Sequence, residues 1–111
     1  MNSPESRWAF SFAMLNPDKI ASFEFDTNNL IELVGKHGIE PQDVLEVFSN
    51  DPVFIEDDEG QSGDWYMVAP VAGGWRTIVL TGALSGDETI ARPITGWPSR
   101  RWEIECYEAE S

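Results

Sequence analysis

The chain has 111 residues, 41% of them hydrophobic, which suits one folded domain with a modest core and argues against a disordered chain. Its formal net charge of −13 repels nucleic acid at long range and, taken alone, favours a basic protein partner. A single cysteine excludes an internal disulfide framework, and the apolar stretch near the N-terminus is too short to span a bilayer. We therefore expect a cytoplasmic protein without a membrane segment.

Two alternating stretches predict strands in the first part of the chain. In "RWAFSFAML" every second residue is large and apolar, which indicates a half-buried strand. After a turn at "NPDK", "ASFEFD" repeats the alternation and places Phe23 and Phe25 on one side.

Two helices are predicted next. "TNNLIELVGKHG" has apolar residues at helical spacing, with Asp26 or Thr27 able to cap its start and Gly38 to end it. "IEPQDVLEVFSN" follows, with Pro41 favoured in the first turn and an apolar face of valine, leucine and phenylalanine. Lys36 and His37 then fall in the last turn of the first helix.

The second half of the chain predicts antiparallel strands. "PVFIEDD" is a short strand, and "DWYMVAP" and "WRTIVLTG" form a hairpin through the glycines of "VAGG". In "ETIARPIT", Pro93 removes a backbone donor and favours an edge position or pairing that ends near Arg92. The tail "RWEIECYE" alternates like a strand, although Pro98 could open a helix. The fold class is therefore α+β.

Several strings in this order resemble the BrnT-like toxin family, which belongs to the RelE-type ribonuclease fold of bacterial toxin–antitoxin systems. They are "FEFD", "KHGIEPQDVLEVF", the hairpin, and "IARPIT" followed by "SRRWEIECYE", and together they cover roughly residues 22 to 108. "TGWP" makes the spacing between Arg92 and the basic tail longer than the family pattern.

The resemblance implies a small twisted antiparallel sheet with two N-terminal helices packed on one side, and it favours a helix over a strand at the C-terminus. We accordingly assign residues 22–111 to a BrnT-like α+β domain and residues 1–21 to an N-terminal extension with a possible added strand. It also implies a metal-independent endoribonuclease of a type II toxin–antitoxin module, RNA as substrate and an antitoxin protein as partner. No cofactor is expected.

The candidate site combines one histidine with the scarce cations. RNA transesterification needs a base, an acid and fixed positive charge on the phosphate, and no metal. An imidazole exchanges protons readily near neutral pH, so His37 could act as base or acid. We assign His37, Lys36 and Arg92 to catalysis. Substrate binding is assigned to Arg76, Arg100, Arg101 and Tyr107.

Each of these residues also has a purely structural interpretation. Lys36 and His37 could satisfy helix carbonyls, and Arg76 could pair with a carboxylate or stack on an indole across the sheet. Salt bridges to neighbouring glutamates could occupy Arg100 and Arg101, and Tyr107 could serve packing. Trp65 and Trp97, beside turns, could stack on bases. The competing functional hypothesis is therefore a non-enzymatic acidic protein on the same fold, which engages a basic protein or mimics nucleic acid.

Overall fold

The computed structural model describes residues 15–57 and 63–110. The predicted strand "RWAFSFAML" lies outside the described residues except for its last residue, Leu15. A short 3-10 turn, Pro17–Lys19, opens the described chain. The strands are β1 (Ser22–Phe23), β2 (Val53–Glu56), β3 (Trp65–Val71), β4 (Gly74–Gly82) and β5 (Ile90–Pro98). The helices are α1 (Thr27–Leu30, continued by a π-helical segment, Ile31–Lys36), α2 (Pro41–Ser49) and α3 (Arg101–Glu110).

The strands form one mixed sheet in the order β1-β5-β4-β3-β2. From β2 to β5 every pair is antiparallel, and the glycines at 73 and 74 form the β3–β4 turn with positive φ angles of 89° and 154°. β1 instead pairs parallel with β5, so the prediction of a purely antiparallel sheet is wrong at this pair. Alternation of apolar residues marks a strand but carries no information on its direction. The α+β class is confirmed.

Capping side chains fix the starts of the first two helices. Asp26 is the N-cap of α1: its Oδ1 accepts from the amides of Asn28 and Asn29 at 3.0 and 3.1 Å. Asn29 Oδ1 accepts in return from the Asp26 amide at 2.7 Å, which completes a capping box. Pro41 stands in the first turn of α2, where its missing N–H costs nothing.

Apolar residues cover both faces of the sheet. On one face, Leu33 of α1 and Val44 and Val47 of α2 pack in the main core with the inward residues of the central strands, Met67, Ala69, Ile78 and Leu80. Tyr66, Val68 and Val79 alternate with those residues and therefore point to the opposite face. The C-terminal helix covers that face, where Trp102 lies 6.1 Å from the ring of Tyr66.

The C-terminal segment is a helix despite its strand-like alternation. Glu103 is completely buried and Tyr107, four residues later, is half-buried, so the inward stripe follows helical spacing. Trp102, by contrast, is 44% exposed. The alternation of apolar and charged residues misleads here because the residue buried most deeply is a glutamate.

β5 extends further than predicted, and Pro93 lies just beyond the end of its pairing with β1. On the β1 side the ladder ends with the bond from the Glu24 amide to the Ala91 carbonyl, at 2.8 Å. Beyond that point the buried side chain of Asn29 donates to the Pro93 carbonyl at 2.8 Å. Pairing on this side therefore ends near Arg92, as predicted. The "TGWP" residues continue β5 and pair with β4 as far as Pro98.

Close packing at the middle of β5 gives a test of this arrangement. A Cβ at Gly96 would lie 2.7 Å from the Thr77 carbonyl oxygen and 2.8 Å from Ile39 Cδ1, whereas a Cβ at Gly35 would meet nothing within 4 Å. We expect Gly96→Ala to lower the free energy of unfolding by about 1–3 kcal/mol. Gly35→Ala, the matched control in a helix, should raise it by about 0.5–1 kcal/mol. Urea unfolding curves measure both, and equal stabilities would contradict the packing of Ile39 on β5.

Candidate functional site

Arg92 lies at the centre of an ion-pair network that joins β5, the end of β1 and the start of α1. Its side chain is 9% exposed, and its Nη1 donates to Glu24 Oε1 at 2.9 Å and to Asp26 Oδ2 at 2.8 Å. Its Nη2 donates to Asp26 Oδ1 at 3.0 Å, so the contact with Asp26 is bidentate. The guanidinium on which the nuclease hypothesis most depends is therefore held by two carboxylates.

The network stabilises the charged forms of its members. Hydrogen bonds from Arg92, and then from the Asn29 amide, lower the pKa of Asp26 to about 2. The pKa of Glu24 is also lowered, first by the Leu84 amide and then by Arg92. The hydrogen bond to Asp26 raises the pKa of Arg92 above its already high ordinary value. All three groups thus remain ionised at neutral pH.

His37 and Lys36 both contact Glu32, which lies one turn earlier on the same helix. His37 Nε2 is 3.0 Å from Glu32 Oε2 and 3.1 Å from Thr95 Oγ1. Lys36 Nζ is 3.2 Å from Glu32 Oε1. The hydrogen bond from Lys36, and then that from His37, lowers the pKa of Glu32. Both contacts use the same ring nitrogen, so Nε2 cannot donate to Glu32 and accept a proton at the same time. An imidazole that a carboxylate orients for acid–base catalysis uses one nitrogen for each task.

A concavity of about 360 Å³ connects these two groups. Its lining includes Glu32, Arg92 and Thr95, together with Asn28, Asn29 and Ile94. The predicted catalytic residues therefore lie near one another, since Lys36 and His37 contact the Glu32 that lines this space. The two basic side chains Arg92 and Lys36 form ion pairs with three carboxylates, those of Glu24, Asp26 and Glu32. The fixed charge around the concavity is consequently negative.

Arg100 belongs to a second cluster, on the opposite face of the sheet. Its Nε donates to Glu103 Oε2 at 2.9 Å, and its guanidinium lies 4.5 Å from the ring centre of Trp97 and 5.4 Å from that of Trp102. Burial raises the pKa of Glu103, but the bonds from Arg100, Thr77 and Trp97 outweigh burial and keep it below the ordinary value. The salt-bridge alternative predicted for Arg100 is confirmed, with Glu103 as its partner.

The remaining substrate-binding candidates do not join either group. Arg76 alternates with Thr77, whose hydroxyl donates to Glu103, and therefore points to the face that carries α1 and α2. The sheet thus lies between Arg76 and Arg100. Arg101 is exposed, and within residues 15–57 and 63–110 it forms no ion pair. Tyr107 donates to the Asn50 carbonyl at 3.3 Å and packs edge-on against Trp75. The seven candidates do not form one groove.

The sequence reasoning missed the carboxylates that hold the cations. Glu24 and Asp26 alternate with Phe23 and Phe25 in "FEFD", and this pattern could have indicated a charged face beside an apolar one. The spacing of Glu32 from Lys36, four residues on a helix, could likewise have indicated a pair. The contact of Glu32 and His37 with Thr95 had no signal, because it depends on how α1 lies over β5.

Known proteins give no further guide to this arrangement. Comparisons of the chain with protein-family models, with curated proteins and with solved structures each find no match. Among the described residues, no group of three histidine, cysteine, aspartate or glutamate side chains could hold a metal ion. No helix in that part of the chain is long and apolar enough to cross a membrane.

The Arg92 network predicts a specific dependence of stability on pH. The pKa of Asp26 is about 2 in the folded protein, below the ordinary value of 3.8, so the folded state binds this proton less readily than the unfolded state does. The ion pair therefore stabilises the fold fully above about pH 4 and is lost as the pH falls towards 2. Urea unfolding across this range should show a steep loss of stability for the wild type and a shallower one for Asp26→Asn. Parallel pH profiles would contradict the role of Asp26, and Asp18→Asn, at an exposed aspartate, is the control.

Proposed function

We propose that this protein is a non-enzymatic binding protein whose acidic surface engages a basic protein. One observation carries the proposal: Lys36, Arg92 and Arg100, which a nuclease would use on phosphate, each lie within 3.2 Å of a carboxylate of the same chain. A phosphate that approached Arg92 would meet the negative charges of Asp26 and Glu24, which already accept hydrogen bonds from the guanidinium. A basic partner meets no such competition.

The electrostatics of the surface support the same proposal. The chain has 20 acidic and 7 basic residues, and several of the cations are paired internally, so the charge of the surface is strongly negative. A surface of this kind attracts cationic proteins at a distance and repels RNA, which is also negative, and salt screens both effects.

The kinship with BrnT-like toxins is part of the proposal. The order of a first strand, two helices, an antiparallel meander and a final helix supports it, as do the strings in which the candidate residues occur. A fold does not carry its function when the site has changed. We therefore regard the chain as a form of that fold in which three of the candidate phosphate-binding cations, Lys36, Arg92 and Arg100, form internal ion pairs.

Direct binding measurements test the proposal. We expect a fluorescent arginine-rich peptide to bind the full chain at low salt, with affinity falling about tenfold or more between roughly 0.05 M and 0.3 M salt. The matched control is a peptide of the same length in which serine replaces every arginine, and it should not bind. Fluorescence anisotropy gives both results. Binding of a single-stranded RNA in preference to the arginine-rich peptide would contradict the proposal.

A metal-independent endoribonuclease is the second candidate, and the Glu32–His37–Thr95 cluster favours it. Glu32 orients the His37 imidazole, and both lie next to the concavity that Arg92 also lines. In that function His37 would transfer the proton of the 2′-hydroxyl, and an antitoxin protein would be the expected partner.

An RNA-cleavage assay distinguishes the second candidate from the first. If the chain is a nuclease, wild type should cut RNA in the presence of a chelator, and His37→Ala should reduce the rate by about 10²- to 10⁴-fold. Lys19→Ala removes a cation that pairs with Glu88 away from the concavity, so it should cut like wild type. Intact RNA with wild type would exclude the nuclease and leave the binding proposal standing.

A further inference from the structure

A groove of about 750 Å³ lies between the N-terminal turn, the start of β2 and the end of α3. Its walls are formed by residues 15–18, by residues 51–54, by Trp65 and by Glu110. A smaller depression of about 290 Å³ is lined by Asp51, Val53, Tyr107 and Glu110. Because three of these residues line both spaces, the two form one continuous surface, which we call the β2 groove.

The rim of the β2 groove is negative. Asp18, Asp51 and Glu110 are all exposed, and within residues 15–57 and 63–110 none of them forms an ion pair with a basic side chain. Lys19, the cation nearest in sequence to Asp18, is held by Glu88 at 2.6 Å. Among the described residues that line the groove, none is basic. These carboxylates thus differ from those around Arg92, which already have cations of the same chain as partners.

The floor of the β2 groove is apolar. Phe54 and Trp65 lie on neighbouring strands, and further apolar lining comes from Leu15, Pro17, Pro52 and Val53. The Trp65 indole is held in place because its Nε1 donates to the Leu15 carbonyl at 2.6 Å. A hydrophobic floor with a charged rim is the usual composition of a surface that binds a peptide segment, since the floor supplies affinity and the rim supplies specificity.

The walls of the β2 groove are fixed by side chain to backbone hydrogen bonds. Asn50 Nδ2 donates to the Pro70 carbonyl at 2.7 Å, and the Asn50 carbonyl accepts from Tyr107. Asn16 caps the 3-10 turn by accepting from the Asp18 amide at 3.0 Å. A preformed groove binds its ligand without an entropic cost for ordering its own walls.

We infer that the β2 groove is the docking site for a basic segment of a protein partner, one in which arginine or lysine alternates with apolar residues. The inference rests on the proposed function and locates it on the surface. Charge complementarity selects this occupant: an anionic ligand meets three carboxylates, and a purely apolar one would bury them without partners. A basic segment with apolar residues satisfies both the rim and the floor.

Two peptides of equal charge test the inference on the full chain. One alternates arginine with leucine and the other arginine with serine, both with blocked ends. We expect the arginine–leucine peptide to bind several-fold more tightly in a titration calorimeter, because only it covers Phe54 and Trp65. The Asp51→Asn, Glu110→Gln double variant should weaken its binding by about tenfold. The fold should tolerate both changes, because Asp51 has a φ of 52°, which asparagine adopts at least as readily, and Glu110 is exposed.

The matched control removes the same two charges from exposed positions elsewhere on α3, as Glu105→Gln and Glu108→Gln. It should bind the arginine–leucine peptide like wild type. Equal weakening in both double variants would place the binding outside the β2 groove and overturn the inference while the proposed function stands. Failure of both peptides to bind wild type would overturn the proposed function itself. A dimer in sedimentation that the Asp51→Asn, Glu110→Gln variant dissociates would assign the groove to a second copy and would also overturn the inference.

Discussion

The ion pair between Arg92 and Asp26 joins parts of the chain that the backbone ladders connect only weakly. β1 has only two residues in register with β5, and the backbone hydrogen bonds between the two strands end at Ala91, one residue before Arg92. Asp26 caps α1 with the same oxygen that accepts from Arg92 Nη2. Helix start, strand end and the central part of β5 are thus held by one bidentate contact, and the buried amide of Asn29 adds a bond to the Pro93 carbonyl. The contact between Arg92 and Asp26 thus helps to orient α1, and this orientation brings Glu32 and His37 to Thr95.

Several of the few cations in this acidic chain pair with its own carboxylates and connect separate parts of the fold. Lys19 and Glu88 connect the N-terminal turn to the segment before β5, while Arg100 and Glu103 hold the start of α3 against the sheet. Each pair matches one positive charge with one negative charge of the same chain. Because the chain has 20 acidic and 7 basic residues, the charge that remains after this pairing is strongly negative.

The helices and strands could be predicted from the sequence better than the contacts between them. Hydrophobic spacing, the cap at Asp26, the proline at the start of α2 and the glycines of the hairpin act locally, and the structure has each of them where the pattern indicated. The direction of β1, the helical state of the tail and the partners of the cations depend on contacts between distant residues. Glu103 is the clearest case: a glutamate reads as a surface residue, yet here it accepts from Thr77, Trp97 and Arg100 in the interior. Similarly, the candidate histidine was found, whereas Thr95, 58 residues away, was not.

The two concave surfaces differ in what a ligand must displace. At the concavity beside Arg92, a phosphate would approach the carboxylates of Asp26 and Glu24, which already accept from the guanidinium, and displacing Asp26 would disturb the cap of α1. At the β2 groove, an incoming cation replaces water around Asp18, Asp51 and Glu110, and no intramolecular ion pair among the described residues has to break. Association is favourable only when new contacts exceed the cost of those that are lost. That difference in cost supports our proposal that ligand recognition takes place at the β2 groove, while the Arg92 network stabilises the fold.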